Sequence, residues 1–245
     1  MIKTLCIGEI LWDIFPDKKV WGGAPANFIY HTAQFGADAT VYTAVGQDEL
    51  GKELIEVATK SGVKLKAETV NFPTGVVNIE VSSDGIASYS FNENCAWDHI
   101  PFTPELQNLC ENADLISFGS LAQRSATSKQ TILKALSSRK PSAKVLFDIN
   151  LRQDFYSKEI IENSLAHSDF LKLNEEEVIV IQELTGKNIK ELITDFKLEL
   201  VILTLGPEGS QILTGSKEYH CAATKCNIVD TVGAGDSFTA CFIMN

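Results

Sequence analysis

VLFDINLRQDFYSKEIIENSLAHSDFLKLN, residues 145–174, contains one complete unit of the fold. Residues 145–149 are an apolar run of strand length, residues 158–167 space their apolar side chains as a helix does, and residues 170–173 are a second apolar run. Strand, helix, strand in that order predicts a parallel βαβ unit, because parallel neighbours need a crossover between them. Each run is followed by polar residues: Asp148, Asn150 and Arg152 after the first, Lys172, Asn174 and Glu177 after the second. In open α/β sheets ligands gather at the carboxyl ends of strands, so these positions are candidates for a site.

The same rhythm extends in both directions. Residues 4–10, 39–45, 115–120 and 200–205 read as further buried strands, and residues 48–61, 127–139, 175–185 and 189–197 as helices. Thr204, Gly206 and Gly209 follow the run at 200–205, and Asp13 follows the exit of the first strand. Several polar clusters at equivalent strand ends predict one shared site, although Asp13 taken alone reads as a solvated loop acid. Between residues 76 and 91 the period falls to two: Val77, Ile79 and Val81 alternate with polar residues, Asp84-Gly85 turns the chain, and Ala87, Tyr89 and Phe91 resume the alternation. This is a hairpin with one apolar face, which needs a partner; Trp97 is expected to pack there. Residues 210–214 and 218–221 suggest a small antiparallel pair. The expected architecture is a single α/β domain over residues 1–245: three αβα layers, a mostly parallel central sheet and a small β lid inserted at about residues 11–21 and 72–98.

A net charge of -11 disfavours nucleic acid and anionic membranes as partners, because a surface of that sign repels phosphate backbones. Residues 1–15 carry Lys3, Glu9 and Asp13 among apolar side chains and read as neither signal peptide nor membrane span, so a cytoplasmic protein is expected. The six cysteines form no metal-binding pattern, and Cys6 and Cys241, both in apolar runs, read as reduced core thiols.

Two stretches carry chemistry. In Asp230-Thr231-Val232-Gly233-Ala234-Gly235-Asp236-Ser237, small residues leave backbone N–H groups unshielded ahead of an apolar helix from Ser237 to Met244, which reads as an anion cradle. Asp236 makes little sense as another anchor for an anion. It makes sense as the base that takes a proton from a hydroxyl attacking a phosphate; the other reading is a turn whose Asp caps a helix. In Trp21-Gly22-Gly23-Ala24-Pro25-Ala26-Asn27, a double glycine opens a helix whose first turn offers the Asn27 amide, both donor and acceptor, as a polyol requires. No phosphate-binding lysine follows these glycines, and no dinucleotide fingerprint is present.

Gly22 to Asn27 followed by Val45-Gly46-Gln47-Asp48-Glu49-Leu50-Gly51 resembles the N-terminal signature of the ribokinase-like (PfkB-type) carbohydrate kinases, and residues 230–240 resemble their C-terminal one. Asp148 to Arg152, Lys172 to Glu177 and Thr204 to Gly209 also resemble family blocks, so the likeness spans the chain. Gly8-Glu9-Ile10-Leu11-Trp12-Asp13 is most similar to the bacterial fructokinase branch. The resemblance implies ATP-dependent phosphorylation of a sugar hydroxyl, foremost of fructose, with another ketose, ribose or a nucleoside as alternative acceptors. It implies Asp236 as base, Gly233, Ala234 and Gly235 as the anion hole, and Arg152 as a charge near the phosphates or acceptor. Asp13, Gly23 and Asn27 would hold the sugar, while Lys172, Asn174, Thr204, Gly206 and Gly209 would line the nucleotide. Asn174 and Glu177 would order Mg2+ through water, and Asp230 with the Val232 carbonyl would hold a monovalent cation such as K+. The hairpin corresponds to a lid that covers the sugar and through which a homodimer forms. Family members continue beyond the catalytic helix, so the resemblance also implies an incomplete nucleotide wall here, with Phe242 and Ile243 exposed; a sugar-binding protein without turnover is the non-enzymatic alternative.

Overall fold

A computed structural model describes residues 1–81, 87–225, 227 and 233–245. The main sheet is built from β1 (Lys3–Ile7), β4 (Asp38–Gly46), β5 (Lys64–Val70), β8 (Leu115–Gly119), β9 (Lys144–Asp148), β10 (Phe170–Asn174), β11 (Leu200–Thr204), β12 (Ser210–Leu213) and β13 (Glu218–Cys221). The second sheet comprises β2 (Leu11–Ile14), β3 (Lys19–Gly22), β6 (Val76–Val81) and β7 (Ala87–Phe91). The helices are α1 (Ala24–Gln34), α2 (Glu49–Lys60), α3 (Pro104–Asn112), α4 (Ala126–Ser137), α5 (Lys158–Ala166), α6 (Glu175–Thr185), α7 (Ile189–Phe196) and α8 (Ala234–Met244).

The main sheet runs β13-β12-β11-β10-β9-β8-β1-β4-β5, parallel except for β12 and β13. Its central strands are buried on both faces, which is why residues such as Val145 to Phe147 and Val201 to Leu203 read as unbroken apolar runs. Two large clusters lie against the sheet. One gathers Leu5, Trp97, Phe118 and Phe147; the other gathers Phe28, Ile29, Val41 and Leu54. This is the three-layer α/β architecture expected. Helix starts are pinned by side chains: Asp48, Thr103, Ser157, Asn174 and Asn188 each accept from a backbone N–H one turn on.

The strand registers set out the site. Asp148 pairs with Lys172 and with Gly119, and Asn174 pairs with Thr204, so the polar residues that end each run share one edge of the sheet. Next to that edge stands the second sheet, ordered β3-β2-β6-β7, with an apolar face formed by Leu11, Val77 and Ile79, and Gln153 Nε2 in the loop after β9 donates to the Tyr89 carbonyl of β7 at 2.7 Å. The stretch Gly46 to Gly51 ties it down. Asp48 accepts from the Thr74 N–H at 2.8 Å, the Thr74 hydroxyl at 2.5 Å and the Gly51 N–H at 2.8 Å, fixing the entry to β6.

Several expectations need correction. β1 ends at Ile7, three residues early, because Gly8, Glu9 and Ile10 turn the chain towards β2. α8 begins at Ala234 rather than Ser237. β5 escaped the reading, since Lys64, Lys66 and Glu68 make this edge strand look like loop, while β2 and β3 fall where the first lid insertion was expected. Trp97 packs in the main core rather than beneath the hairpin, filling space that a side chain at Gly75 would occupy. Cys241 is exposed, whereas Cys6 is buried. Phe242 and Ile243 are half-buried, because α8 docks on the cluster containing Phe28 and Ile29 of α1. The Asp84-Gly85 turn, Asp230 and the Val232 carbonyl lie outside the described residues. Among the described residues no helix is long and apolar enough to cross a membrane.

Candidate active site

The start of α8 meets the start of α1. Gly233 caps α8 with φ 70°, a left-handed turn that glycine adopts without strain, and Asp236 follows within the first helical turn. Asn27 Nδ2 donates to Asp236 Oδ2 at 3.0 Å. Asn27 is held in turn by its backbone N–H, which donates to the Gly23 carbonyl at 3.0 Å. Gly23 has φ 107°, and a Cβ added there would lie 2.6 Å from the Glu9 carbonyl oxygen. Only glycine lets the chain pass so close. Gly23→Ala is therefore expected to lower stability by about 1–3 kcal/mol through backbone strain and to displace Asn27 from Asp236. Parent-like melting together with parent-like turnover would show that the turn tolerates a side chain.

Charge concentrates around Asp236. Lys172 Nζ donates to Asp148 Oδ1 at 3.0 Å, and both side chains are largely buried. A Cβ at Gly235 would lie 3.5 Å from Lys172 Nζ, so the ammonium sits directly beside the turn from Gly233 to Asp236. Burial works against the Lys172 cation, yet Asp148 and Glu177 more than offset it and its pKa is raised. Burial, then the Asp148 charge, pushes Asp236 up to about 6, while Asn27, Lys172 and Arg152 pull it down. Asp13 is likewise raised to about 6 by burial, opposed by Arg152. Gly22 makes room for Asp13, since a Cβ there would lie 2.4 Å from Asp13 Oδ2. Arg152 itself is exposed, its Nη1 donating to the Leu151 carbonyl at 2.9 Å.

Asn174 and Glu177 form a reciprocal capping box on α6. The Asn174 Oδ1 accepts from the Glu177 N–H, and Glu177 Oε2 accepts from the Asn174 N–H, both at 2.8 Å. Glu177 Oε1 also accepts from the Leu151 N–H at 3.0 Å, tying α6 to the loop that carries Arg152. Each Glu177 carboxylate oxygen keeps a free lone pair, available to a cation or to the water of a hydrated one. Among the described residues no three His, Cys, Asp or Glu side chains converge as a metal cage. Thr204 ends the neighbouring strand, and Gly206 (φ 53°) and Gly209 (φ 109°) turn the chain after it. Gly209 is pressed against β13, where a Cβ would come within 2.0 Å of the Cys221 carbonyl oxygen.

The structure thus gathers Asp13, Gly23, Asn27, Arg152, Lys172, Gly235 and Asp236 around one edge of the sheet, through contacts or through charges that act on one another. Gly206 and Gly209 stand apart, one strand beyond Asn174. Two acidic groups to which the sequence gave no specific role belong here as well. Asp148 holds Lys172, and Glu9, only 3% exposed, lies close enough to Arg152, Asp236 and Asp148 to feel their charges. The signal for both was present: each lies at the end of an apolar strand run.

The family model described as pfkB family carbohydrate kinase matches residues 15–245. Fructokinase of Escherichia coli is 28% identical over 257 residues, covering 97% of this chain and 82% of that protein. ATP-dependent 6-phosphofructokinase of Thermoanaerobacterium thermosaccharolyticum is 26% identical over 258 residues, covering 98% of this chain and 80% of that protein. An uncharacterised sugar kinase of Pyrococcus horikoshii, solved in complex with ATP, superposes with a TM-score of 0.85 at 26% identity, covering 98% of this chain and 83% of that one.

Proposed function

This chain belongs to the pfkB family of carbohydrate kinases, and we propose that it transfers the γ-phosphoryl group of Mg-ATP to a hydroxyl of fructose, acting in the cytoplasm. The observation that carries this reading is the hydrogen bond from Asn27 to Asp236, which joins the helix offered to a polyol with the carboxylate offered as base. Asp13, the Gly23 backbone and Asn27 hold sugar hydroxyls beneath the second sheet. Asp236 accepts the proton of the attacking hydroxyl, and a carboxyl raised to about 6 is a better proton acceptor than an ordinary one yet still ionised at pH 7.

Backbone N–H groups at Gly233, Ala234 and Gly235 receive the transferring phosphoryl, and the Lys172 ammonium beside Gly235 offsets charge that builds on it. Arg152, exposed at the mouth, approaches the phosphates or the acceptor as they bind. Asn174 and Glu177 hold waters of the Mg2+ that arrives with ATP, and Thr204, Gly206 and Gly209 line the nucleotide. Asp230 is the proposed ligand of a monovalent cation such as K+. Val20 and Tyr89, exposed on the second sheet, fit a homodimer formed through it.

A panel of sugars with Mg-ATP, read by ADP release, tests the acceptor: fructose is expected to give the highest kcat/KM. A higher value for ribose, a nucleoside or fructose 6-phosphate would replace fructose, and sugar binding without ADP release from any acceptor would remove the kinase reading. Turnover should rise as pH increases through about 6, because the base must be ionised to act. Asn27 stabilises that ionised form, so Asn27→Ala should move the acid limb upward by about one pH unit and raise the sugar KM several-fold. An unmoved limb with equal changes in both substrates' KM would make Asn27 merely structural.

A further inference from the structure

Glu9 sits at the exit of β1, where its carbonyl touches Gly23 and its side chain turns inward. Its Oε2 has no hydrogen-bond partner among the described residues. That orphaned oxygen belongs to a residue lining a small cavity of about 20 Å³, shared with Cys6, Phe28, Ser117, Asp148 and Asn150. A volume of that size holds one water molecule, and a water needs two or more polar partners. Glu9, Ser117, Asp148 and Asn150 supply them. Asp148 is also the partner of Lys172, and Lys172 lies beside Gly235.

We infer that Glu9 is a positioning residue that works in its neutral form, its carboxyl O–H donating through a water in this cavity to Asp148 and so holding the Asp148–Lys172 pair against the phosphoryl-binding turn. The inference rests on the reading of Asp236 and its neighbouring turn as the phosphoryl-transfer site. Burial favours the neutral form, while the backbone N–H of Glu9 itself favours the ionised one. Asp148 on β9 and Asp236 on α8 oppose its ionisation, Arg152 in the loop after β9 favours it, and the Cys6 thiol of β1 stays protonated in the same burial. Burial is the largest influence, and the carboxyl is raised to about 7. Two ionised carboxylates facing one water repel each other across it, and the water loses the O–H that held its oxygen. Once Glu9 ionises, its charge pushes the Asp148 carboxylate away and the Lys172 pair loosens. A bound polyphosphate adds negative charge nearby and keeps the proton on Glu9, so the loss appears first as a rising KM for Mg-ATP above pH 7.

The experiment has an arm that needs no turnover. In protein carrying 13C at the glutamate side-chain carboxyl, one resonance, identified by its disappearance in Glu9→Gln, should titrate near pH 7 rather than in the ordinary glutamate range. Linkage gives a second readout. From the ordinary glutamate range up to about 7 the folded protein holds a proton that the unfolded chain releases, so the parent should lose stability relative to Glu9→Gln as pH rises through that window. In kinetics, Glu9→Leu should lose about 10-fold in kcat/KM for Mg-ATP, and Glu9→Gln, which keeps a donor, should recover most of it while flattening the rise in KM above pH 7. An ordinary Glu9 titration, or a Glu9→Leu variant with the parent's kcat/KM, overturns the inference. Failure of the Asp236 reading is recognised separately, by undiminished turnover in Asp236→Asn.

Discussion

Asp236→Asn is expected to lower kcat about 10²- to 10⁴-fold while leaving the fold and the affinity for sugar close to those of the parent. The substitution conserves volume, so α8 keeps its seat on α1, and the new amide can present its carbonyl oxygen to Asn27 Nδ2, which now donates to Asp236 at 3.0 Å. What disappears is the proton acceptor. The part of the acid limb near pH 6 that Asp236 sets should vanish with it, leaving what Asp13, also raised to about 6, contributes through sugar binding. Steady-state kinetics and calorimetric titration of the sugar measure the two halves independently. Turnover within about threefold of the parent would reassign the base, and loss of sugar affinity in step with turnover would make Asp236 a binding group.

Asp98→Ala should cost about 3–5 kcal/mol of stability, the range found when one partner of a buried ion pair is removed. Arg124 donates from Nε to Asp98 Oδ1 at 2.8 Å and from Nη2 to Oδ2 at 2.7 Å, and both side chains are less than 10% exposed. The guanidinium lies 3.9 Å from the Trp97 ring centroid and 4.6 Å from that of Phe155, and Nη2 also donates to the Asn92 carbonyl at 2.6 Å. Without the carboxylate, a buried cation would remain between two rings. Because Asn92 follows β7 and Phe155 follows the loop carrying Arg152, the damage should reach function as a raised sugar KM. Denaturant unfolding checks the size: a loss below about 1 kcal/mol would mean water reaches Arg124. Arg124→Met with Asp98→Leu should recover much of the stability, since paired apolar replacement of a buried ion pair is often near neutral.

The parts of the fold that were legible in the sequence are those with a local cause. Central parallel strands are apolar on both faces, so residues 145–149, 170–173 and 200–205 stood out, and the polar residues ending them marked the site edge. The capping box of Asn174 and Glu177 lies within one turn, so its cause is local as well. β5 was hidden because Lys64, Lys66 and Glu68 break up its apolar side chains, and an edge strand has no need of an apolar run. Arg124 and Asp98 stand 26 residues apart, with no spacing rule that pairs them. Glu9 was seen but not understood: a glutamate is almost never buried without a partner, so sequence favours solvent for it, and only the folded chain sets it among Asp148, Asp236 and Arg152.

The bond between Asn27 and Asp236 joins positions 209 residues apart, and this separation has a meaning during protein synthesis. At roughly 5–20 residues per second, Asn27 waits on the order of 10–40 s on the ribosome before its partner is made. Through that interval α1 has no α8 to pack against, and the apolar side chains that α8 covers, around Phe28 and Ile29, face water or a chaperone. The nascent chain therefore passes through a long adhesive phase, and the contact between Asn27 and Asp236 cannot form until α8 has been made.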